Sequence, residues 1–142
     1  MRTLAETTHT TTATPKALFS VWTDIDKWSE YDEGIDWAKL DGEFAVGARF
    51  TLKAKGGPKL KGTIVTLEPE RQFTDALQLF GARMLFIHTV EPGNNGFVVT
   101  VTLAMDGPLA WFWAMAVGRN REAGLETSTK GAIARAKLVP GV

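Results

Sequence analysis

The stretch that decides the fold is residues 97–117, FVVTVTLAMDGPLAWFWAMAV. Its first part places Phe97, Val99, Val101, Leu103 and Met105 at every second position, the period of a strand with one buried face. Gly107-Pro108 then ends the strand, and no comparable turn signal follows until Pro140. We therefore predict a strand over 97–105 and one long helix over 109–137, with Gly118 and Gly124 as positions for a bend.

Working backwards from this strand, the chain alternates in the same way between short turns. The predicted strands are a Thr-rich segment at 2–13, favoured by β-branched side chains, and the stretches 35–40, 47–55, 60–68, 72–80 and 83–91. Two helices follow the first strand. Thr14 is a suitable N-cap with Pro15 at the first helical position, and a short helix is expected over 26–31. Consecutive strands with helices at the two ends indicate an α+β fold.

This order of elements resembles the helix-grip fold of the START/polyketide cyclase (SRPBCC) superfamily over nearly the whole chain. The likeness is carried by ATPKALFSVWTDIDKWSEYDEGI at 13–35, LDGEFAVGARFTL at 40–52, GTIVTLEPERQF at 62–73 and DGPLAWFWAMAVGRNREAGLE at 106–126. The resemblance implies one domain over 1–142, in which a curved antiparallel sheet of about six to seven strands wraps around the C-terminal helix. It also implies a ligand cavity between them. Because the superfamily hosts carriers, cyclases, hydroxylase subunits and stress-response proteins, the fold leaves the activity open.

Composition narrows the function classes. Sixteen Lys and Arg balance 16 Asp and Glu, which argues against a general nucleic-acid or anionic-membrane binder but leaves room for a local basic patch. With no cysteine and two histidines, we expect no metal and no cofactor. No apolar run reaches the roughly 18 residues of a membrane span, and the N-terminal stretch is not of signal-peptide type. We expect a soluble cytoplasmic domain without integral membrane association.

Hairpin register predicts which side chains face the cavity. A two-residue turn at Gly81-Ala82 puts Asp75 opposite His88, and a loop at 93–96 continues the same face onto the strand 97–105. With three residues of the long helix, the predicted cavity residues are Phe73, Leu77, Leu79, Met84, Phe86, Val90, Val99, Val101, Leu103, Trp113, Leu125 and Ser128.

Asp75 and His88 form the polar pair in this apolar wall, and three interpretations are open. They are a general acid/base pair or a polar anchor for a ligand carbonyl or hydroxyl. Alternatively they are a cross-strand pair that only fixes register, or the register is wrong and both face water. A buried aspartate needs a partner, and a neighbouring carboxylate is expected to favour the charged imidazole.

The long helix is bulky in its first turns and small in its later ones. Gly118, Gly124 and Gly131 each cost a helix about 1 kcal/mol relative to alanine, so they need a reason: a cavity beside the helix, close packing against the sheet, or a solvated helix end. The bulky side chains Trp111, Phe112, Trp113 and Met115 are expected to pack at the opening of the sheet, with a dimer interface as the alternative.

A second aromatic group surrounds the two short helices: Trp22, Trp28, Tyr31 and Trp37. It is interpreted either as the mouth of the cavity or as core that covers the sheet.

Three functions follow. The first is binding of a small hydrophobic ligand that is aromatic, polyketide-like or lipid-like. The second is a cofactor-independent cyclase, dehydratase or isomerase in which His88 is the acid/base and Asp75 holds its tautomer. The third is a protein-interaction or regulatory module, which a cavity filled by its own side chains would favour. No nucleic-acid partner is expected, and a homodimer is left open.

Overall fold

The computed structural model describes residues 1–117 and 121–139. Seven strands form one antiparallel sheet in the order β1-β7-β6-β5-β4-β3-β2. Their bounds are β1 (Arg2–Thr11), β2 (Ile35–Asp41), β3 (Arg49–Ala54), β4 (Lys59–Glu68), β5 (Gln72–Leu79), β6 (Ala82–Gly93) and β7 (Gly96–Asp106). The helices are α1 (Pro15–Trp22), a 3₁₀ helix (Ile25–Glu30), α2 (Ala110–Val117) and α3 (Arg121–Ala136).

Local signals explain how the helices after β1 begin. Thr14 caps α1, since its side-chain oxygen accepts the Ala17 N–H at 3.1 Å, and Pro15 sits at the first helical position where no N–H is needed. The next helix is a 3₁₀ helix, held to α1 by a hydrogen bond in which the Trp28 indole Nε1 donates to the Trp22 carbonyl at 2.9 Å.

The sheet curves around α3. Register shifts interrupt β1 between Thr3 and Ala5 and β4 between Ile64 and Thr66, and such bulges bend a strand. The helix α3 packs against β1 and α1, burying Leu125, Thr129, Ala132, Ile133 and Ala136. The predicted α+β helix-grip architecture is confirmed.

The segment predicted as one helix over 109–137 is described in two helical parts, α2 (Ala110–Val117) and α3 (Arg121–Ala136). The predicted bend at Gly118 lies outside the described residues, and Gly124 lies within α3 without interrupting it.

The predicted register of the β5–β6 hairpin is wrong by two positions. Leu79 pairs with Ala82, so the turn is Phe80-Gly81, and Asp75 lies opposite Phe86 instead of His88. The physical reason is the turn: Gly81 has φ +69°, and a glycine with positive φ belongs at the second central position of a type II turn. Because the shift is even, every side chain keeps its predicted face.

The β6–β7 register agrees with the prediction. Gly93 pairs with Gly96 around Asn94-Asn95, and His88 lies opposite Val101. The concave face therefore runs unbroken from β5 across β6 to β7.

Candidate ligand-binding cavity

A cavity of about 780 Å³ lies between the concave face of the sheet and α3. The sheet side is formed by Leu77 of β5, by Met84, Phe86 and His88 of β6, and by Val101 and Leu103 of β7. Gly124, Leu125, Ser128 and Thr129 of α3 form the opposite wall. Together with Asp75, most of the residues predicted from the sequence thus meet around one space, and their role in binding stays a prediction.

The remaining predicted cavity residues do not line it: Phe73, Leu79, Val90, Val99 and Trp113. Phe73 and Val99 are fully buried, because α1 and the loop after β2 fill this part of the concave face. The ring of Phe73 contacts Phe19, Trp22 and Phe44 in edge-on geometry at centroid distances of 5.9, 5.6 and 5.4 Å.

Trp113 and Leu79 are displaced for a different reason. Trp113 turns its indole Nε1 to the Phe80 carbonyl at 2.8 Å, which holds it at the β5–β6 turn. Leu79 precedes that turn at the end of β5 and is half-buried there.

Sequence reasoning left out part of the wall. Leu52 of β3 and Leu60 of β4, which are cross-strand partners, line the cavity together with Ile35 and Ala54. The alternation Phe50, Leu52 along β3 is the signal that could have found them, since it continues the concave face beyond β5.

The aromatic residues near the short helices were interpreted either as the mouth of the cavity or as core that covers the sheet, and they do not all behave alike. Trp22 and Trp28 are buried and line the inner wall, and the half-buried Tyr31 lines it as well. Trp37 is 39% exposed and does not line the cavity.

The glycines of α3 also divide. A Cβ on Gly131 would lie 2.8 Å from the Tyr31 carbonyl oxygen, so this glycine permits close packing against the backbone at Tyr31. A Cβ on Gly124 would meet no atom within 4 Å, and this glycine borders the cavity. Gly124 therefore agrees with the cavity interpretation, whereas Gly131 packs against the backbone at the end of the 3₁₀ helix and not against the sheet.

The polar pair lies on the inner wall. Asp75 Oδ1 and His88 Nδ1 are 3.9 Å apart, too far for a hydrogen bond. His88 Nδ1 instead donates to the Phe73 carbonyl oxygen at 3.4 Å, while the imidazole stacks on the Phe73 ring at 4.0 Å. Since a carbonyl only accepts, the proton of a neutral His88 sits on Nδ1 and Nε2 is left as an acceptor. The expectation that Asp75 holds the tautomer is wrong: a main-chain carbonyl does so.

Burial inverts the charges expected for this pair. Desolvation raises the pKa of Asp75 to about 8 and lowers the pKa of His88 to about 4, against the opposing backbone hydrogen bonds at Phe73 and Phe86. The pair is therefore neutral near pH 7, not an imidazolium–carboxylate pair as the sequence suggested. Among the described residues, Asp75 Oδ1 is the one buried side-chain oxygen or nitrogen without a hydrogen-bond partner.

The cavity opens where its lining becomes exposed, at Glu33 and Gly34 before β2 and at Ala123, Gly124 and Thr127 of α3. Asp32 beside this mouth accepts the Gly34 N–H at 2.9 Å. Its pKa is raised by burial and partly restored by that hydrogen bond. Burial, followed by the charge of Asp32, raises the pKa of Tyr31, so Tyr31 is a neutral hydroxyl.

The bulky side chains of α2 do not pack at the sheet opening as expected. Trp111 is 55%, Phe112 49% and Met115 76% exposed. Of these four side chains, Trp113 alone is half-buried, and its indole Nε1 donates to the main-chain carbonyl of Phe80.

Two further findings concern metals and membranes. Within 1–117 and 121–139, no three His, Asp or Glu side chains lie together in a way that could hold a metal ion. No helix in the same ranges combines the length and apolar character needed to cross a bilayer.

The fold and the internal apolar cavity define the class as a helix-grip protein. The chain belongs to the family described as polyketide cyclase / dehydrase and lipid transport, whose model matches residues 2–130. Comparison with curated proteins gave no match.

Solved structures share the fold at low sequence identity. Protein MLL2253 from Mesorhizobium loti is 18% identical with a TM-score of 0.70, covering 96% of this chain and 97% of its own. The di-domain ARO/CYC StfQ of the steffimycin biosynthetic pathway is 13% identical with a TM-score of 0.78, covering 99% of this chain and 53% of its own. A norcoclaurine synthase from Thalictrum flavum, solved with a transition-state analogue, is 10% identical with a TM-score of 0.71, covering 93% and 92%.

Proposed function

We propose that this protein binds a small hydrophobic molecule that carries a polar group, such as an aromatic, polyketide-like or lipid-like compound, in the cavity beneath α3. The observation that carries the proposal is a largely apolar space of about 780 Å³ whose inner wall holds Asp75 and His88. This volume is in the range of small-molecule sites, which combine an apolar lining with a few polar groups. The family and the fold support the same role.

The polar pair sets the kind of group that the ligand presents. A protonated Asp75 offers an O–H donor and a neutral His88 offers the Nε2 acceptor. A hydroxyl or carbonyl on an otherwise apolar ligand would supply the missing partner of the Asp75 carboxyl, and so remove the cost of a buried unpaired polar atom.

A thermal-shift screen tests this function with aromatic polyketides, fatty acids, sterols and isoprenoid quinones. A ligand at about 100 times its dissociation constant stabilises the fold by about 2.7 kcal/mol, a shift of several degrees. Ser128→Phe, which fills the space beside α3, should abolish the shift, whereas Lys130→Phe on the exposed side of the same helix should keep it. The absence of any shift with all four classes would contradict the proposal.

His88→Gln tests the anchor, with His9→Gln as the matched control. His9 does not line the cavity; it bonds to Thr7 Oγ1 at 2.9 Å. We expect His88→Gln to weaken binding of the ligand found and His9→Gln to leave it unchanged. Equal binding by both variants would make the pair structural.

A second candidate function is favoured by the inverted pKa values. Between pH 4 and 8, Asp75 holds a proton while His88 Nε2 is free to take one, the pairing that acid–base catalysis needs. In a cyclase, dehydratase or isomerase, Nε2 would take a proton from a carbon next to a carbonyl while Asp75 donates its proton to the carbonyl oxygen.

Catalysis of this kind predicts a bell-shaped pH profile with limbs near 4 and 8. His88→Gln and Asp75→Asn should each abolish turnover of the bound ligand without unfolding the protein. Full activity in both variants would contradict this acid–base mechanism and leave ligand binding as the proposed function. A cavity filled by its own side chains would favour the interaction module, and the open space beneath α3 gives that function no such support.

A further inference from the structure

One end of the molecule carries an exposed apolar surface, the α2 patch, formed by Phe80, Trp111, Phe112 and Met115. Phe80 is 82% exposed and Met115 76%. Its residues are neighbours, because the Trp113 ring contacts Phe112, which in turn contacts Trp111, and the Trp113 indole Nε1 donates to the main-chain carbonyl of Phe80. A helix without charged residues is normally buried, so a surface of this kind marks an interaction site.

Lysines surround the β3–β4 hairpin at the same end. Leu52 pairs with Leu60, Gly62 pairs with Leu77 and Leu79 pairs with Ala82, so the tips of the β3–β4 and β5–β6 hairpins lie at one end of the sheet. The hairpin carries Lys53, Lys55, Lys59 and Lys61, all but Lys53 exposed.

This clustering of lysines has a cost within the sheet. Lys53 and Lys59 lie directly opposite each other, an arrangement that destabilises a strand pair through like-charge repulsion. An anionic partner at this surface would relieve that repulsion.

The cavity opens at this end as well. Ala54 and Leu60, which line it, are the neighbours of Lys53 and Lys59 along the chain. The Lys55 N–H donates to the carbonyl of Gly34 at the mouth at 3.0 Å. The apolar patch, the hairpin lysines and the mouth therefore share one end of the molecule, with the side chains of Lys53 and Lys59 on the face of the sheet opposite the cavity lining.

We propose that this end of the molecule docks on an anionic lipid bilayer. Tryptophan, phenylalanine and methionine side chains enter the interfacial region of a membrane, while lysines are attracted to anionic headgroups. In this orientation the cavity mouth faces the bilayer, so an apolar molecule passes between them without crossing water. The docking itself does not depend on which molecule the cavity takes.

Charge favours a bilayer over a second copy of the chain. A two-fold dimer places the same patch on both subunits, which would bring the hairpin lysines of the two copies together. Asp32 and Glu33 on the other rim of the mouth oppose an anionic surface, so we expect binding to require the α2 patch and the lysines together.

Co-sedimentation of the full chain with vesicles tests the proposal. We expect binding to phosphatidylcholine vesicles that contain phosphatidylglycerol, no binding to pure phosphatidylcholine, and release at high salt. Tryptophan fluorescence should shift to the blue on binding as α2 enters the interface. A folded protein that does not bind the anionic vesicles would overturn the proposal.

Substitutions test whether the α2 patch and the hairpin lysines form the membrane-binding surface. Trp111→Ser with Phe112→Ser, and separately Lys55→Glu with Lys59→Glu, should each weaken vesicle binding by about tenfold or more. The controls are Val46→Ser, an exposed apolar residue in the β2–β3 connection at the opposite end, and Lys16→Glu on α1. They should stay within about twofold of the wild type.

Two results would contradict docking on a bilayer. Equal losses in the controls would show that the surface is not specific. A dimer in analytical ultracentrifugation that the Trp111→Ser/Phe112→Ser variant dissociates, without vesicle binding by the wild type, would assign the patch to a second copy. Circular dichroism of every variant shows that it is folded.

Discussion

The concave face of β5, β6 and β7 is covered at one end of these strands and open to the cavity at the other. At the closed end, Phe73 and Val99 disappear beneath α1 and Phe44. At the open end, Leu77, Phe86 and Leu103 line a cavity beneath α3. Side chains at both ends are apolar and point the same way, so the difference comes from what packs above them. Aromatic rings cover one end, and the small residues of α3 leave the other open.

The largest expected effect is a difference in the free energy of unfolding between substitutions at the two ends. Phe73→Ala removes a fully buried ring with several ring contacts, and should lower the free energy of unfolding by about 3–5 kcal/mol. Phe86→Ala should cost clearly less, because Phe86 is already partly exposed in the cavity. Urea unfolding of both variants measures the difference, and equal losses would mean that the open end is packed as tightly as the closed one.

The polar pair sits between the two ends and predicts an unusual pH dependence. The pKa of Asp75 rises from 3.8 to about 8 on folding, so this group destabilises the fold as pH rises through that range. The pKa of His88 falls from 6.5 to about 4, so this group destabilises the fold as pH falls from 6.5. The two slopes cancel between pH 4 and 6.5, and from 6.5 to 8 stability should fall by about 2 kcal/mol.

Asp75→Asn sharpens this prediction. Without the carboxyl, the fall between pH 6.5 and 8 should vanish, and stability should instead rise from pH 4 to 6.5 through His88 alone. Urea midpoints across pH 4–9 for the two proteins decide it. A wild type that gains stability from pH 6.5 to 8 would show that the carboxyl is ionised in the folded state.

Two glycines of α3 provide a matched test on the helix above the cavity. Gly131→Ala forces a Cβ against the Tyr31 backbone and should destabilise by about 1–3 kcal/mol. Gly124→Ala enters open space and should stabilise the helix by up to about 1 kcal/mol. Thermal unfolding of the pair should shift in opposite directions; shifts in the same direction would contradict the assigned packing.

The smallest effect concerns the ion pair that joins the 3₁₀ helix to α3. Arg135 Nη1 donates to Glu30 Oε1 at 2.6 Å, with both side chains well exposed. Glu30→Gln should therefore cost no more than about 1 kcal/mol and less in high salt. A larger or salt-independent loss would mean that this contact controls how the rim of the open end is held.

Periodicity and turns sufficed to predict the architecture and the inward face, because side-chain parity survives an even error in register. They did not predict which inward residues meet a cavity, since Phe73 is covered by Phe19 and Phe44 from distant segments. The protonation of Asp75 was also out of reach, because desolvation depends on everything around the carboxyl. The exposure of α2 was missed for a similar reason: an apolar helix next to a sheet suggests packing, and only the three-dimensional arrangement shows nothing above Trp111 and Met115 among the described residues.

The pairing of β1 with β7 has a consequence for how the chain matures. Thr8 and Thr100 are neighbours across this pair, although 92 positions separate them along the chain. During synthesis β1 must therefore wait for nearly all other strands before it finds its partner, and such distant pairings slow folding. An unpaired strand is exposed to other chains, and β1, whose apolar residues are Leu4 and Ala5 alone, offers them little apolar surface. The segment with the least apolar sequence is thus the one that waits longest.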